Sequence, residues 1–108
     1  MPRLVLHGMQ TTQAVQVREQ LFKALKTLEL DTETVVEILP SRVMDSMGKD
    51  RPFLEVISTE RPEADLMVGD IEVRAICVTF GLDIEISEAA DRYIPREQLK
   101  VVGEGRRN

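Results

Sequence analysis

The sequence predicts an α/β fold: a tandem βαβ repeat that makes a four-stranded mixed sheet with two helices on one face. Three observations carry this prediction. Short apolar runs alternate with longer stretches at helical spacing, in the order strand-helix-strand, loop, strand-helix-strand. Pro2 and Pro52 stand fifty residues apart, and each opens a strand. At the same offset Leu4 corresponds to Leu54, Leu6 to Val56 and Val36 to Ile86. Each βαβ unit is expected to be right-handed, with its two strands parallel.

Residues 3–8 read as the first strand. Leu4, Val5 and Leu6 make it apolar on both faces, as in a central strand covered on both sides. Gly8 and the polar run from Gln10 to Gln13 end it, and Thr11 or Thr12 is suited to cap a helix over 12–29. In that helix Ala14, Val17, Leu21, Ala24, Leu25 and Leu28 form one apolar stripe. The β-rich segment 34–39 is stopped by Pro40. Residues 40–52 are the longest irregular stretch, and a loop of that length in a small domain is often functional. Residues 53–58 read as the third strand. A turn over 60–63 leads to a helix over 64–80, with Asp65 as its cap and Met67, Ile71, Ala75, Val78 and Leu82 as its stripe. Gly69 weakens it locally and Gly81 ends it. Residues 84–86 make the fourth strand, and Leu99 to Val102 a short edge strand. Residues 1–103 are expected to be a single domain, with 104–108 a basic, flexible tail.

Apolar residues make up 43% of the 108-residue chain and charged residues 31%, the balance of a soluble globular protein. The formal net charge of −5 argues against non-specific nucleic-acid binding. A single cysteine, Cys77, and a single histidine, His7, exclude a disulfide framework, a thiolate metal site and a His-rich metal site. No apolar run approaches the roughly 20 residues of a membrane span, and the start lacks the pattern of a signal peptide. A cytoplasmic location is the expectation. Two helices cannot cover both faces of a sheet whose first strand is apolar throughout. The second face is therefore expected to pack on other subunits.

Chemistry points first to Pro2. Aminopeptidases remove an initiator Met that precedes a small residue, which would leave the secondary amine of Pro2 as the first atom of the chain. A strand that starts at once fixes this amine, and an amine fixed in an apolar pocket is a base near neutral pH. A retained Met1 would acylate it. Arg42 opens the long loop and could clamp a carboxylate, or be an ordinary solvated arginine. Arg61 follows the third strand, and Arg92 and Tyr93 follow the fourth, so each could reach a site at the strand ends or be an ordinary surface residue. His7 reads as a hydrogen-bonded structural residue and Cys77 as inert core. Glu55 and Glu85 occupy similar places in the two halves.

The opening Met1-Pro2-Arg3-Leu4-Val5-Leu6-His7-Gly8, the tandem halves and the segment Leu39-Pro40-Ser41-Arg42-Val43-Met44 together resemble the tautomerase superfamily, in particular its members of the macrophage migration inhibitory factor type. The opening and Arg51-Pro52-Phe53-Leu54-Glu55-Val56 also resemble an uncharacterised bacterial family of that superfamily. The resemblance spans residues 1 to about 88. It implies a homotrimer that needs no cofactor or metal, acting on a small α-keto or enol acid. In it Pro2 moves a proton between carbon and oxygen, and cationic groups, often from a neighbouring subunit, hold the substrate. Pro2 and Arg42 are then the catalytic candidates, and Arg61, Arg92 and Tyr93 the substrate-binding ones. Where the family has a lysine before the second strand, this sequence has the acidic run Glu29-Leu30-Asp31-Thr32-Glu33. The rival reading is a non-catalytic binding or structural protein of the same fold.

Overall fold

Alternation of side chains builds the sheet. The computed structural model describes residues 2–58, 60–87 and 92–99. In β1 (Arg3–His7), Leu4 and Leu6 turn to one face and Arg3, Val5 and His7 to the other. β1 pairs in parallel with β2 (Val35–Leu39) and antiparallel with β3 (Phe53–Ile57). β3 in turn pairs in parallel with β4 (Asp83–Ile86). These four strands are the mixed sheet of two βαβ halves, joined through the antiparallel β1·β3 pair. A fifth strand, β5 (Arg92–Ile94), adds antiparallel to β4, so the order is β2-β1-β3-β4-β5.

The repeat is visible in the hydrogen bonds. The Val35 N–H donates to the Pro2 carbonyl at 3.2 Å, and the Asp83 N–H donates to the Pro52 carbonyl at 3.3 Å. Each proline thus receives the first residue of its partner strand. The second half is shorter than a constant offset implies. Leu4 lies beside Val36, 32 residues on, whereas Leu54 lies beside Ile84, 30 residues on. Val36 therefore corresponds to Ile84 and not to Ile86.

One sheet face carries Leu4, Leu6, Leu54, Val56, Ile84 and Ile86 into a single hydrophobic core with the helices. α1 (Thr11–Thr27) buries the expected stripe from Ala14 to Leu25. Gln10, in extended backbone, holds its N-cap position without a side-chain bond, so Thr11 begins the helix instead of capping it. The second helical stretch is two helices, α2 (Arg61–Gly69) and α3 (Ile71–Phe80). Pro62 stands in the first turn of α2, where its missing N–H costs nothing, and this starts the helix ahead of Asp65. Asp70 takes extended backbone, ends α2 and caps α3 by accepting from the N–H groups of Glu72 and Val73 at 3.0 and 3.1 Å. The interruption rephases the stripe. Met67, Val73, Ile76 and Cys77 are buried, while Ile71 and Val78 are exposed. Gly81, at φ +69°, ends α3 in the left-handed conformation.

Val5 lies outside that core cluster, on the second sheet face, yet it is only 4% exposed in the single chain. Glu37 and Glu55 are its cross-strand neighbours. Its burial therefore does not require a second subunit, and the expectation of a covering layer built on Val5 loses that basis. Residues 43–51 are a short hairpin, with a bridge between Met44 and Asp50 and the Arg51 N–H donating to Val43 O at 2.7 Å. Leu99 is buried beyond a 3-10 turn (Arg96–Gln98) and is not in a strand. The rest of the strand expected over 99–102, the tail 104–108 and Met1 lie outside the described residues. Among the described residues no helix is long and apolar enough to cross a membrane.

Candidate functional site

Pro2 is placed by the same alternation that builds the sheet. It sits one residue ahead of β1, in step with Leu4 and Leu6, and it is buried. Continuing the registers by one residue sets Thr34 on one side of it and Ser58 on the other, both buried polar residues on the helix-covered face. Each polar group is satisfied locally. Thr34 Oγ1 donates to Leu30 O at 2.7 Å. Ser58 Oγ accepts from the Glu60 N–H at 3.1 Å and lies 3.0 and 3.1 Å from the Glu60 carbonyl and Glu63 Oε1. The backbone of Pro2 is fixed by the bond from Val35. A strand end clamped between two neighbouring strands can hold an amine in one place, away from bulk water.

The candidate cations fall at different ends of the sheet. β2 runs parallel to β1, so Leu39 pairs with His7 and Arg42 follows at the end remote from Pro2. The length of β1, roughly 15 Å or more at about 3.3 Å per residue, separates the two in one chain. Arg42 Nη2 instead holds Asp50 Oδ1 at 3.0 Å in an exposed pair. The structure thus does not bring Pro2 and Arg42 together within a chain. β3 and β4 both end on the Pro2 side. Arg61, at the start of α2, follows β3 there. Arg92 pairs with Ile86 on the same side, but β3 and β4 lie between β5 and β1, roughly 14 Å at about 4.8 Å per strand. Tyr93 pairs with Glu85 one step further in.

The second sheet face holds a polar chain that crosses three strands. His7 Nε2 lies 2.7 Å from Glu55 Oε1, and the Ser87 hydroxyl donates to the other oxygen of the same carboxylate. Phe53 stacks on the imidazole with centroids 4.3 Å apart and planes 8° from parallel. Burial pushes the Glu55 carboxyl up, but the hydrogen bonds from Ser87 and His7 outweigh it and hold it below its ordinary value. The expected hydrogen-bonded role of His7 is what the structure shows, with Glu55 as the partner that spacing in sequence did not identify. Beside β1 and β2, Arg3 Nη1 meets Glu37 Oε1 at 3.2 Å.

The long loop is ordered by one carboxylate. Asp45 Oδ1 accepts from the N–H groups of Met47 and Lys49 at 2.9 and 3.0 Å, and Oδ2 takes Arg51 Nε at 3.1 Å. The Lys49 N–H contributes most to holding the Asp45 carboxyl below its ordinary value. A cavity of about 400 Å³ under this turn is lined by Asp45, Met47, Gly48, Lys49 and Arg51, far from Pro2 along β1. Gly8, at φ +83°, lets the end of β1 pass the hairpin. A Cβ there would stand 3.4 Å from Pro52 Cα and from Val43 Cγ2. Burial pushes the Cys77 thiol up to about 12, which keeps it protonated and unreactive in the core.

Sequence reasoning singled out Pro2 but not Ser58 beside it or the Glu63 bonded to Ser58, because their approach is set by the antiparallel register and by where α2 begins. No protein-family model matches this sequence, and no curated protein matches it.

Proposed function

We propose that the chain is a tautomerase-like protein that moves a proton between carbon and oxygen of a small enolisable carbonyl compound, with the amine of Pro2 as base. The observation that carries this reading is the burial of Pro2 at a strand end where Val35 fixes its carbonyl. Once Met1 is removed, burial disfavours the charged amine and leaves a neutral base available near pH 7. In the enolising direction the nitrogen takes the proton from carbon, and the electron pair moves through carbon onto oxygen. In ketonisation the nitrogen takes the enol O–H proton and delivers it to carbon as the electron pair returns from oxygen, and enolisation is completed by the reverse delivery to oxygen. Charge on oxygen calls for a cationic donor. In this proposal Arg61, which opens α2 at the Pro2 end, is the candidate within the chain, Arg42 could act only from a neighbouring copy, and Arg92 and Tyr93 lie further along the same sheet end. The tandem βαβ order supports the reading without being specific to it. The working form in this proposal is a homotrimer.

The test uses protein whose mass confirms loss of Met1. It should ketonise a simple enol such as phenylenolpyruvate above the buffer rate. Pro2→Ala should lose most of that rate, roughly tenfold to a hundredfold, while keeping its circular dichroism spectrum. An unchanged rate in Pro2→Ala, or no rate in the wild type, ends the enzyme reading. Native protein that retains Met1 favours the non-catalytic binding protein instead.

A further inference from the structure

The surroundings of Pro2 bear on what it could take as substrate. Ser58 stands beside Pro2 in the antiparallel register, and its hydroxyl is 3.1 Å from Glu63 Oε1. A half-buried carboxylate is thus held one side chain away from Pro2. Glu60 caps α2, and its N–H donates to the same Ser58 hydroxyl at 3.1 Å. Asp31 and Glu33 lie in the turn that leads into Val35, whose N–H binds the Pro2 carbonyl. Three arginines among the described residues belong to this end of the sheet, and Arg92 is the farthest from Pro2, with β3 and β4 between its strand and β1. Arg3 turns to the opposite face and is engaged with Glu37 at 3.2 Å. Arg61 opens α2. Among the described residues, Asp31, Glu33, Glu60 and Glu63 thus bring carboxylates to the approach to Pro2, and Glu63 is held in position by Ser58.

We infer that the Pro2 site selects neutral or cationic carbonyl compounds over those that carry a carboxylate, with Glu63 as the residue that sets this preference. The inference rests on the proton-transfer reading above. A substrate carboxylate seated at Pro2 would stand near Glu63, with the Ser58 side chain between them. A like charge at about 7 Å lowers affinity from roughly threefold at the dielectric of bulk water to roughly fiftyfold at that of a protein surface. A neutral ester of the same carbon skeleton avoids that repulsion, and an ammonium group would turn it into attraction.

The experiment compares phenylenolpyruvate with its methyl ester on Met1-free protein at low ionic strength, following loss of the enol chromophore and dividing each rate by its buffer rate. The ester should have the higher kcat/KM, by about fivefold. Glu63→Gln keeps an acceptor for the Ser58 hydroxyl and removes the charge, so it should shift the ratio toward the acid by about threefold or more. Glu60→Gln, on the exposed cap, should shift it the same way by less, and it serves if Glu63→Gln does not fold. A wild type that prefers the acid, or a ratio unmoved in both variants, overturns the inference and leaves the proton-transfer reading standing. If neither substrate turns over, both fall together.

Discussion

Glu55 receives groups from the two strands that flank its own, one on each carboxylate oxygen. His7 arrives from β1 and Ser87 from the end of β4. Because the folded carboxyl is held below the ordinary value near 4.5, its ionisation stabilises the fold at every pH above that value. That contribution is lost as pH falls through the folded value. Glu55→Gln should therefore cost about 1–2 kcal/mol at pH 7, and the deficit should shrink below about pH 4. Urea unfolding of both proteins from pH 7 to pH 3 checks this, and a deficit independent of pH would remove the charge from the explanation. His7 was readable in advance as a hydrogen-bonded strand residue, and Pro2 as a residue fixed ahead of the first strand. Their partners were not. Glu55 is 48 positions from His7 and Ser58 is 56 from Pro2, and nothing local in either segment encodes which strand comes alongside.

The break between α2 and α3 shows how one residue can decide an element. A continuous helix over 64–80 would place Ile71 and Val78 on the buried stripe. Asp70 instead leaves the helical conformation, and both residues are exposed. The short polar side chain at position 70 satisfies two N–H groups that a helix start would otherwise leave unpaired. Asp70→Ala should destabilise the fold by about 1 kcal/mol, read from the urea midpoint. Asp70→Asn or Asp70→Ser should recover most of the loss. No loss in Asp70→Ala would mean that packing alone fixes the break. The Gly69-Asp70 pair carried a local signal, but a stripe drawn through it assumed one unbroken period. The loop over 40–52 was similarly opaque, because its order comes from Asp45 reaching groups two, four and six residues onward.

At the scale of the whole molecule, the repeat was the most legible feature, since each half writes its own strand-helix-strand pattern. The fifth strand was not, because three residues are too short to show a period. The proposed trimer has a ground other than a bare sheet face. β2 is an edge strand, and Val35 and Leu39 on it are 45% and 39% exposed. Light scattering at micromolar concentration should give three chain masses. A monomer would deny Arg42 any part at Pro2, since the whole of β1 lies between them in one chain. The antiparallel β1·β3 pair also has a consequence for the chemistry of duplication. It relates the halves by an approximate twofold rotation, so Pro2 and Pro52 stand in matching places at opposite ends of the sheet. Only the first can ever present an amine, because the nitrogen of Pro52 is locked in a peptide bond. A symmetric pair of half-length chains would carry two such amines. Joining them end to end silences one, so in the proposed reading Pro52 has no part as a base, while the second half still brings Ser58, Arg61 and Glu63 to the Pro2 end.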